Sequence, residues 1–128
     1  MGVEVTSPTI EGAFSDAAVA LFGIMTDTSD FSPSESLEVS VSGEDPKSLL
    51  YSWLEELIFI FDTTSLVVVR ADVADASFDP FTVRATLRGE KFDDQIHETR
   101  TGVKAITYHG MEISGEKGKF LLRYFVDI

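Results

Sequence analysis

The spacing of hydrophobic residues along the chain predicts six strands and two helices, in the order β-α-β-α followed by four strands. The strand segments alternate apolar with polar side chains or are rich in β-branched residues, because neighbouring residues of a strand point to opposite faces. Turn-forming residues separate these segments, most clearly at Asp79-Pro80 and in the glycine-containing loop between the last two strands. The predicted strands cover residues 2–6, 37–42, 66–73, 81–88, 103–113 and 120–126.

Each of the two predicted helices begins with a residue that caps helices and a proline in the first turn. The first runs from about Pro8 to about Met25 with Ser7 as its N-cap, and the second starts at Pro46 behind Asp45. Apolar residues recur three and four positions apart in both, which forms a stripe that can pack on a core. Together the patterns predict an α+β fold in which two helices cover one face of a largely antiparallel sheet.

Composition narrows the class of protein. A chain of 128 residues and 14.1 kDa with 44% hydrophobic residues is typical of one folded domain. The net charge of −12 disfavours direct nucleic-acid binding, which needs clustered cations. Cysteine is absent, which excludes disulfides and thiolate chemistry. The sequence shows neither a membrane-spanning apolar run nor a basic, apolar leader, and we therefore expect no membrane partner and a cytoplasmic location.

Candidate catalytic residues are few. His97 and His109 have no metal-ligand spacing, and a polar surface or hydrogen-bonded role is the simpler interpretation of both. Glu55 and Glu56 adjoin the apolar stripe of the second helix, but adjacent helical residues point about 100° apart and cannot face one site together. No phosphate-binding loop or nucleophile motif is recognisable. We predict that the protein is not an enzyme, while a hydrolase built on Glu55, His97 or His109 stays open as an alternative.

Two positions in the last strands are chemically unusual. Strand alternation places Lys104 on the same side as Ile106 and Tyr108, so its stem either follows an apolar edge or the lysine has a function. Asp127 brings a carboxylate next to the α-carboxylate of Ile128, and such oxygen atoms are ligands for Ca²⁺ or Mg²⁺. A solvated chain end is the ordinary interpretation of the same residues.

Four segments, spread from the first helix to the end of the chain, carry a recognisable pattern. They are Phe14-x-x-Ala17-Ala18-x-Ala20-Leu21-Phe22 with Met25-Thr26-Asp27, Leu49-Leu50-Tyr51-x-Trp53-Leu54-Glu55-Glu56-Leu57, Val103-Lys104-Ala105-Ile106-Thr107-Tyr108-His109, and Val126-Asp127-Ile128. In order and spacing these segments resemble the archease family over nearly the whole chain. The third and fourth segments are the most specific parts of the resemblance, since many helices contain apolar stripes like the first two.

The resemblance implies a function. Archeases are small acidic protein cofactors that promote guanylylation and turnover of the RtcB-family RNA ligase during tRNA splicing, and the chain is accordingly expected to be a non-enzymatic activator. Archaeal members are also linked with a tRNA cytosine methyltransferase, which makes a chaperone-like modulator of that enzyme the alternative. The family pattern implies that Lys104 contacts the ligase and that Asp127 and Ile128 ligate a divalent cation, Ca²⁺ or Mg²⁺.

The chain departs from the family pattern at its start. Archeases begin with a strand that runs into His-Thr-Ala-Asp, followed by a stretch like Gly2-Val3-Glu4-Val5, whereas here Met1 stands where that aspartate and its neighbour belong. We therefore expect one archease-like domain over residues 1–128, truncated at its N-terminus and lacking one metal ligand. A late start of the sequence and a true loss of the ligand both explain this. The remaining cation site is expected to be weak, with Glu4 or Glu11 as partial substitutes.

Overall fold

A computed structural model describes residues 1–98, 102–116 and 118–128 of the chain. All six predicted strands and both predicted helices are present in the predicted order. The elements are β1 (Gly2–Ser7), α1 (Ile10–Met25), a short 3₁₀ turn (Thr28–Asp30), β2 (Glu35–Ser42), α2 (Pro46–Thr64), β3 (Leu66–Phe78), β4 (Phe81–Lys91), β5 (Ala105–Glu116) and β6 (Lys119–Asp127). Strands β5 and β6 extend into the predicted loop between them, of which Lys117 lies outside the described residues.

The two helices start in different ways. Helix α2 is capped as predicted: Asp45 accepts a hydrogen bond from the Ser48 backbone N–H at 2.8 Å, and the Ser48 hydroxyl accepts one from the Asp45 N–H at 3.0 Å. For α1 the prediction of Ser7 as N-cap was wrong. Ser7 is still part of β1, and Thr9 caps the helix by accepting a hydrogen bond from the Gly12 N–H at 3.0 Å.

The α+β class is confirmed, and the strands form two antiparallel sheets instead of the single sheet that was predicted. The first sheet has the order β1-β6-β5 and the second the order β2-β4-β3. Alternation along a strand shows which side chains share a face, but it contains no information about which strands pair. In the second sheet, Gly89 lies opposite a register shift between Val68 and Arg70 on β3, where a Cβ atom on Gly89 would collide with the Val67 carbonyl.

Two long-range hydrogen bonds hold helix α1 in the core. The buried Trp53 of α2 donates its indole N–H to the Phe14 carbonyl at 3.0 Å, and the Phe14 and Trp53 rings pack edge to face with centroids 6.2 Å apart. About one turn further along α1, the buried Tyr124 of β6 donates its hydroxyl to the Ala17 carbonyl at 2.9 Å. Both contacts join elements that are distant in sequence, and they fix α1 against α2 and the first sheet. No described helix is long and apolar enough to cross a membrane.

Tyr124 makes the stability of the fold sensitive to alkaline pH. Burial raises the pKa of the Tyr124 hydroxyl far above its ordinary value, so the folded state keeps the proton where the unfolded state releases it. The contribution to stability is therefore complete below about pH 10 and declines by up to about 1.4 kcal/mol per pH unit as the pH rises further. Urea denaturation between pH 8 and 11 is expected to show a shallower alkaline decline for Tyr124→Phe than for the wild type.

The matched control for this experiment is Tyr108→Phe, since the Tyr108 side chain is 48% exposed. This variant is expected to keep the wild-type pH dependence. An identical alkaline decline in Tyr124→Phe and the wild type would contradict the assignment of this pH dependence to Tyr124.

Candidate functional site

The structure brings Lys104 and Asp127 to the same end of the first sheet. Strands β5 and β6 are antiparallel, with Ala105 opposite Asp127 and Ile106 opposite Val126. The Lys104 backbone N–H donates a hydrogen bond to the Asp127 carbonyl at 2.7 Å, which continues the ladder one residue beyond β5. The start of β5 therefore lies beside the end of β6, and the two most family-specific segments of the sequence meet there.

Strand β1 completes this end of the sheet. The Met1 ammonium group donates to the Val126 carbonyl at 3.1 Å, and the Val126 N–H donates to the Met1 carbonyl at 2.9 Å. We refer to Met1, Lys104, Asp127 and Ile128 as the terminal edge. All four residues are exposed, so a partner can reach the lysine and the carboxylates of the terminal edge.

Buried neighbours position the exposed groups. Ile106 and Val126 lie opposite each other across the ladder and are 4% and 2% exposed, so they anchor both strands in the core. Lys104 precedes β5, and its side chain is exposed, although strand alternation predicted that it shares a face with Ile106. Rigid strands with apolar anchors thus hold the terminal edge in place while its polar groups face solvent.

Tyr108, further along β5, contacts α2. Its ring packs edge to face on Tyr51 with centroids 5.5 Å apart. Burial raises the pKa of the Tyr51 hydroxyl, and the charge and hydrogen bond of Glu55 raise it further by smaller amounts. Sequence reasoning missed this contact between α2 and β5, because residues on separate elements carry no local signal of their pairing.

The described residues do not fit a complete divalent-cation site. Asp127 and Ile128 supply two carboxylates, whereas Ca²⁺ takes about six to eight oxygen ligands and Mg²⁺ about six. No group of three or more His, Asp or Glu residues in the described part of the chain is arranged to hold a metal. Glu4, the proposed substitute ligand, forms a salt bridge with Arg123 at 2.5 Å. The cation ligation by Asp127 and Ile128 stays a prediction.

Calcium binding by the isolated protein is expected to be weak, with a Kd of about 1 mM or higher, because two carboxylates replace little of the ion's hydration. The measurement is a calcium titration followed by NMR of the backbone amides of residues 126–128. Asp127→Asn is expected to remove the shifts, while Asp62→Asn on the exposed face of α2 keeps them. Micromolar affinity would contradict this expectation.

The two histidines lie in different surroundings. His97 is buried, and its ring stacks on the Phe31 ring with centroids 3.8 Å apart. Its Nδ1 accepts a hydrogen bond from the Asp93 N–H at 2.9 Å, which confirms the hydrogen-bonded interpretation. His109 is exposed on β5. In the part of the chain that the structure describes, no contact joins His97 to His109 or Glu55. The geometry therefore gives no support to the hydrolase alternative.

The fold and the terminal edge together define a class of small α+β protein, in which two helices pack on two three-stranded antiparallel sheets and polar groups at the strand ends face solvent. The model of the archease protein family (MTH1598/TM1083) matches residues 1–128, and the chain belongs to that family.

Individual relatives agree with this assignment. The chain is 38% identical to the protein archease of Sulfolobus acidocaldarius over 128 residues, which is 100% of this chain and 91% of the relative. It is 37% identical to the protein archease of Saccharolobus solfataricus with the same coverage. Among solved structures, it is similar to the solution structure of Methanobacterium thermoautotrophicum protein 1598, with a TM-score of 0.81 and 37% identity over 99% of this chain and 91% of that chain.

Proposed function

We propose that this protein is a non-enzymatic activator of an RtcB-family tRNA-splicing RNA ligase, which promotes guanylylation and turnover of the ligase. Membership of the archease family supports a protein cofactor. The observation that carries the proposal is the 2.7 Å hydrogen bond from the Lys104 N–H to the Asp127 carbonyl, because it places the motif lysine beside two carboxylates on one exposed edge. The role would be carried out in the cytoplasm.

The terminal edge is better suited to binding a protein than to performing a reaction. Its charged groups are exposed to solvent, whereas catalytic acids and bases usually lie in a cleft that excludes water. An ammonium group and carboxylates on fixed strand ends are, however, suited to complementary charges and hydrogen-bonding groups on a partner. The partner supplies the chemistry, and this protein supplies a preformed polar surface.

The test of the proposal is a guanylylation and multiple-turnover assay with the cognate ligase, GTP and a broken tRNA substrate. Adding this protein is expected to increase both the guanylylated fraction and the number of turnovers for each ligase molecule. The control is the same amount of heat-denatured protein. If neither quantity changes over a range of protein concentrations, the proposal is wrong.

The net charge of −12 favours a second candidate, a chaperone-like modulator of a tRNA cytosine methyltransferase. An acidic surface can cover the basic RNA-binding surface of such an enzyme and limit aggregation or binding of wrong substrates. Charge-based protection is expected to decline steeply as ionic strength rises from about 50 to about 300 mM in a light-scattering assay of the methyltransferase. Ligase activation through the terminal edge is instead expected to depend on Lys104 and Asp127.

A further inference from the structure

Strand β2 presents an unprotected edge of the second sheet. It is an outer strand in the order β2-β4-β3, and its eight residues pair with β4 without any register shift. No described strand pairs with its other side. The N–H and C=O groups on that side can therefore form a new ladder with an extended chain.

The other outer strands are protected. Strand β3 has two register shifts, and the Ser15 hydroxyl of α1 donates to its Ala71 carbonyl at 2.7 Å. Strand β5 is interrupted between Thr107 and Glu112, where Gly110 has a φ of 80°. Strand β1 is short and packs against α1. Native sheets commonly guard their edges with bulges, proline, charged side chains or a covering element. Strand β2 contains no bulge or proline, and its charged residues, Glu35 and Glu38, oppose only an acidic partner strand.

The edge strand β2 also carries negative charge that is unpaired among the described residues. Glu35 and Glu38 are exposed, and neither forms a salt bridge with a described residue. The neighbouring Arg88 on β4 is already paired with Asp72 at 2.6 Å. Hydrogen bonds from Arg70 and Arg88 lower the pKa of Asp72, so this pairing persists at neutral pH. The uncompensated charge along β2 is therefore negative.

We propose that β2 binds an extended, lysine- or arginine-bearing segment of a partner protein, which adds to the second sheet as a further strand. Backbone hydrogen bonds would supply affinity, and basic side chains opposite Glu35 and Glu38 would supply specificity. The exposed Leu37 lies on the same face of β2 as Glu35 and offers an apolar contact there. A second copy of this chain is a poor occupant, because both edges would carry the same glutamates on molecules of charge −12.

The experiment uses as its probe an acetylated and amidated octapeptide of valine and threonine with two lysines three positions apart, because Glu35 and Glu38 point to opposite faces of the sheet. The control is the same peptide with glutamates in place of the lysines. NMR of the full chain is expected to show amide shifts concentrated in residues 35–42 with the first peptide and none with the second. The double variant Glu35→Lys/Glu38→Lys is expected to weaken binding about fivefold or more, since two exposed charge pairs are lost. Both residues are exposed, so the variant is expected to fold.

The matched control is Glu11→Lys/Asp16→Lys on α1, which changes the net charge by the same amount away from β2. It is expected to bind the basic peptide with nearly wild-type affinity. Equal weakening in both double variants, or shifts centred outside residues 35–42, would overturn the proposal. A dimer through β2 in sedimentation experiments without peptide would also overturn it. The result does not depend on ligase activation, because no ligase is present.

Discussion

Alanine at Lys104 or at Asp127 is expected to abolish stimulation of the ligase while the melting temperature changes by no more than about 3 °C. The structural role of these residues is separable from their proposed binding role, because the hydrogen bond between them joins the Lys104 backbone N–H to the Asp127 backbone carbonyl. Alanine keeps both backbone groups and removes only the exposed side chains. Guanylylation, turnover and thermal unfolding are measured on the same preparations.

Two variants provide matched controls for this experiment. Lys119→Ala removes an exposed lysine at the opposite end of β6, and Asp16→Ala removes an exposed aspartate from α1. Both are expected to stimulate the ligase like the wild type. If Lys104→Ala or Asp127→Ala lost stability in parallel with activity, that residue would have a structural role. If activity stayed unchanged, the terminal edge would not be the ligase-binding surface.

Replacing Trp53 by alanine is expected to lower the free energy of unfolding by about 3–5 kcal/mol. The side chain is fully buried, packs edge to face on Phe14 and donates its indole N–H to the Phe14 carbonyl. Alanine leaves a cavity between α1 and α2 and removes the hydrogen bond. A domain of this size has a total stability of about 5–15 kcal/mol, so the variant is expected to be partly unfolded at moderate urea concentrations.

Urea denaturation followed by circular dichroism measures this effect, since Trp53 is the single tryptophan and its replacement removes the intrinsic fluorescence signal. Phe59→Ala on the same helix is the control, because its ring is 60% exposed and the expected loss is below about 1 kcal/mol. Trp53→Phe is expected to lose less than Trp53→Ala, because it retains part of the packing. Equal losses for Trp53→Ala and Phe59→Ala would contradict the central position of Trp53.

The sequence predicted the elements well because helical and strand periodicity is a local property. Asp45 and Pro46 were correct as the start of α2, since the capping contacts lie within one turn. Ser7 was wrong as the N-cap of α1 because its backbone continues β1 and pairs with Phe120, a contact that local rules do not include. The division into two sheets was missed for the same reason.

The sequence predicted some residues of the candidate site and missed the contacts that hold them. Lys104, Asp127 and Ile128 were named from the family pattern, and the antiparallel pairing of β5 with β6 brings them together. The two hydrogen bonds between Met1 and Val126 and the salt bridge between Glu4 and Arg123 were not predicted. They join residues near opposite ends of the sequence, and no local pattern of charge or hydrophobicity encodes such a distance.

The position of β6 in the middle of the first sheet determines when this sheet can form during synthesis. Both of its neighbours, β1 and β5, pair only with β6 in the described structure, and β6 is the last of these strands to leave the ribosome. A nascent chain therefore carries β1 without its partner strand until β6 has been synthesised. The second sheet, which needs only residues up to Lys91, can assemble first. The terminal edge can therefore form only after β6 has been synthesised.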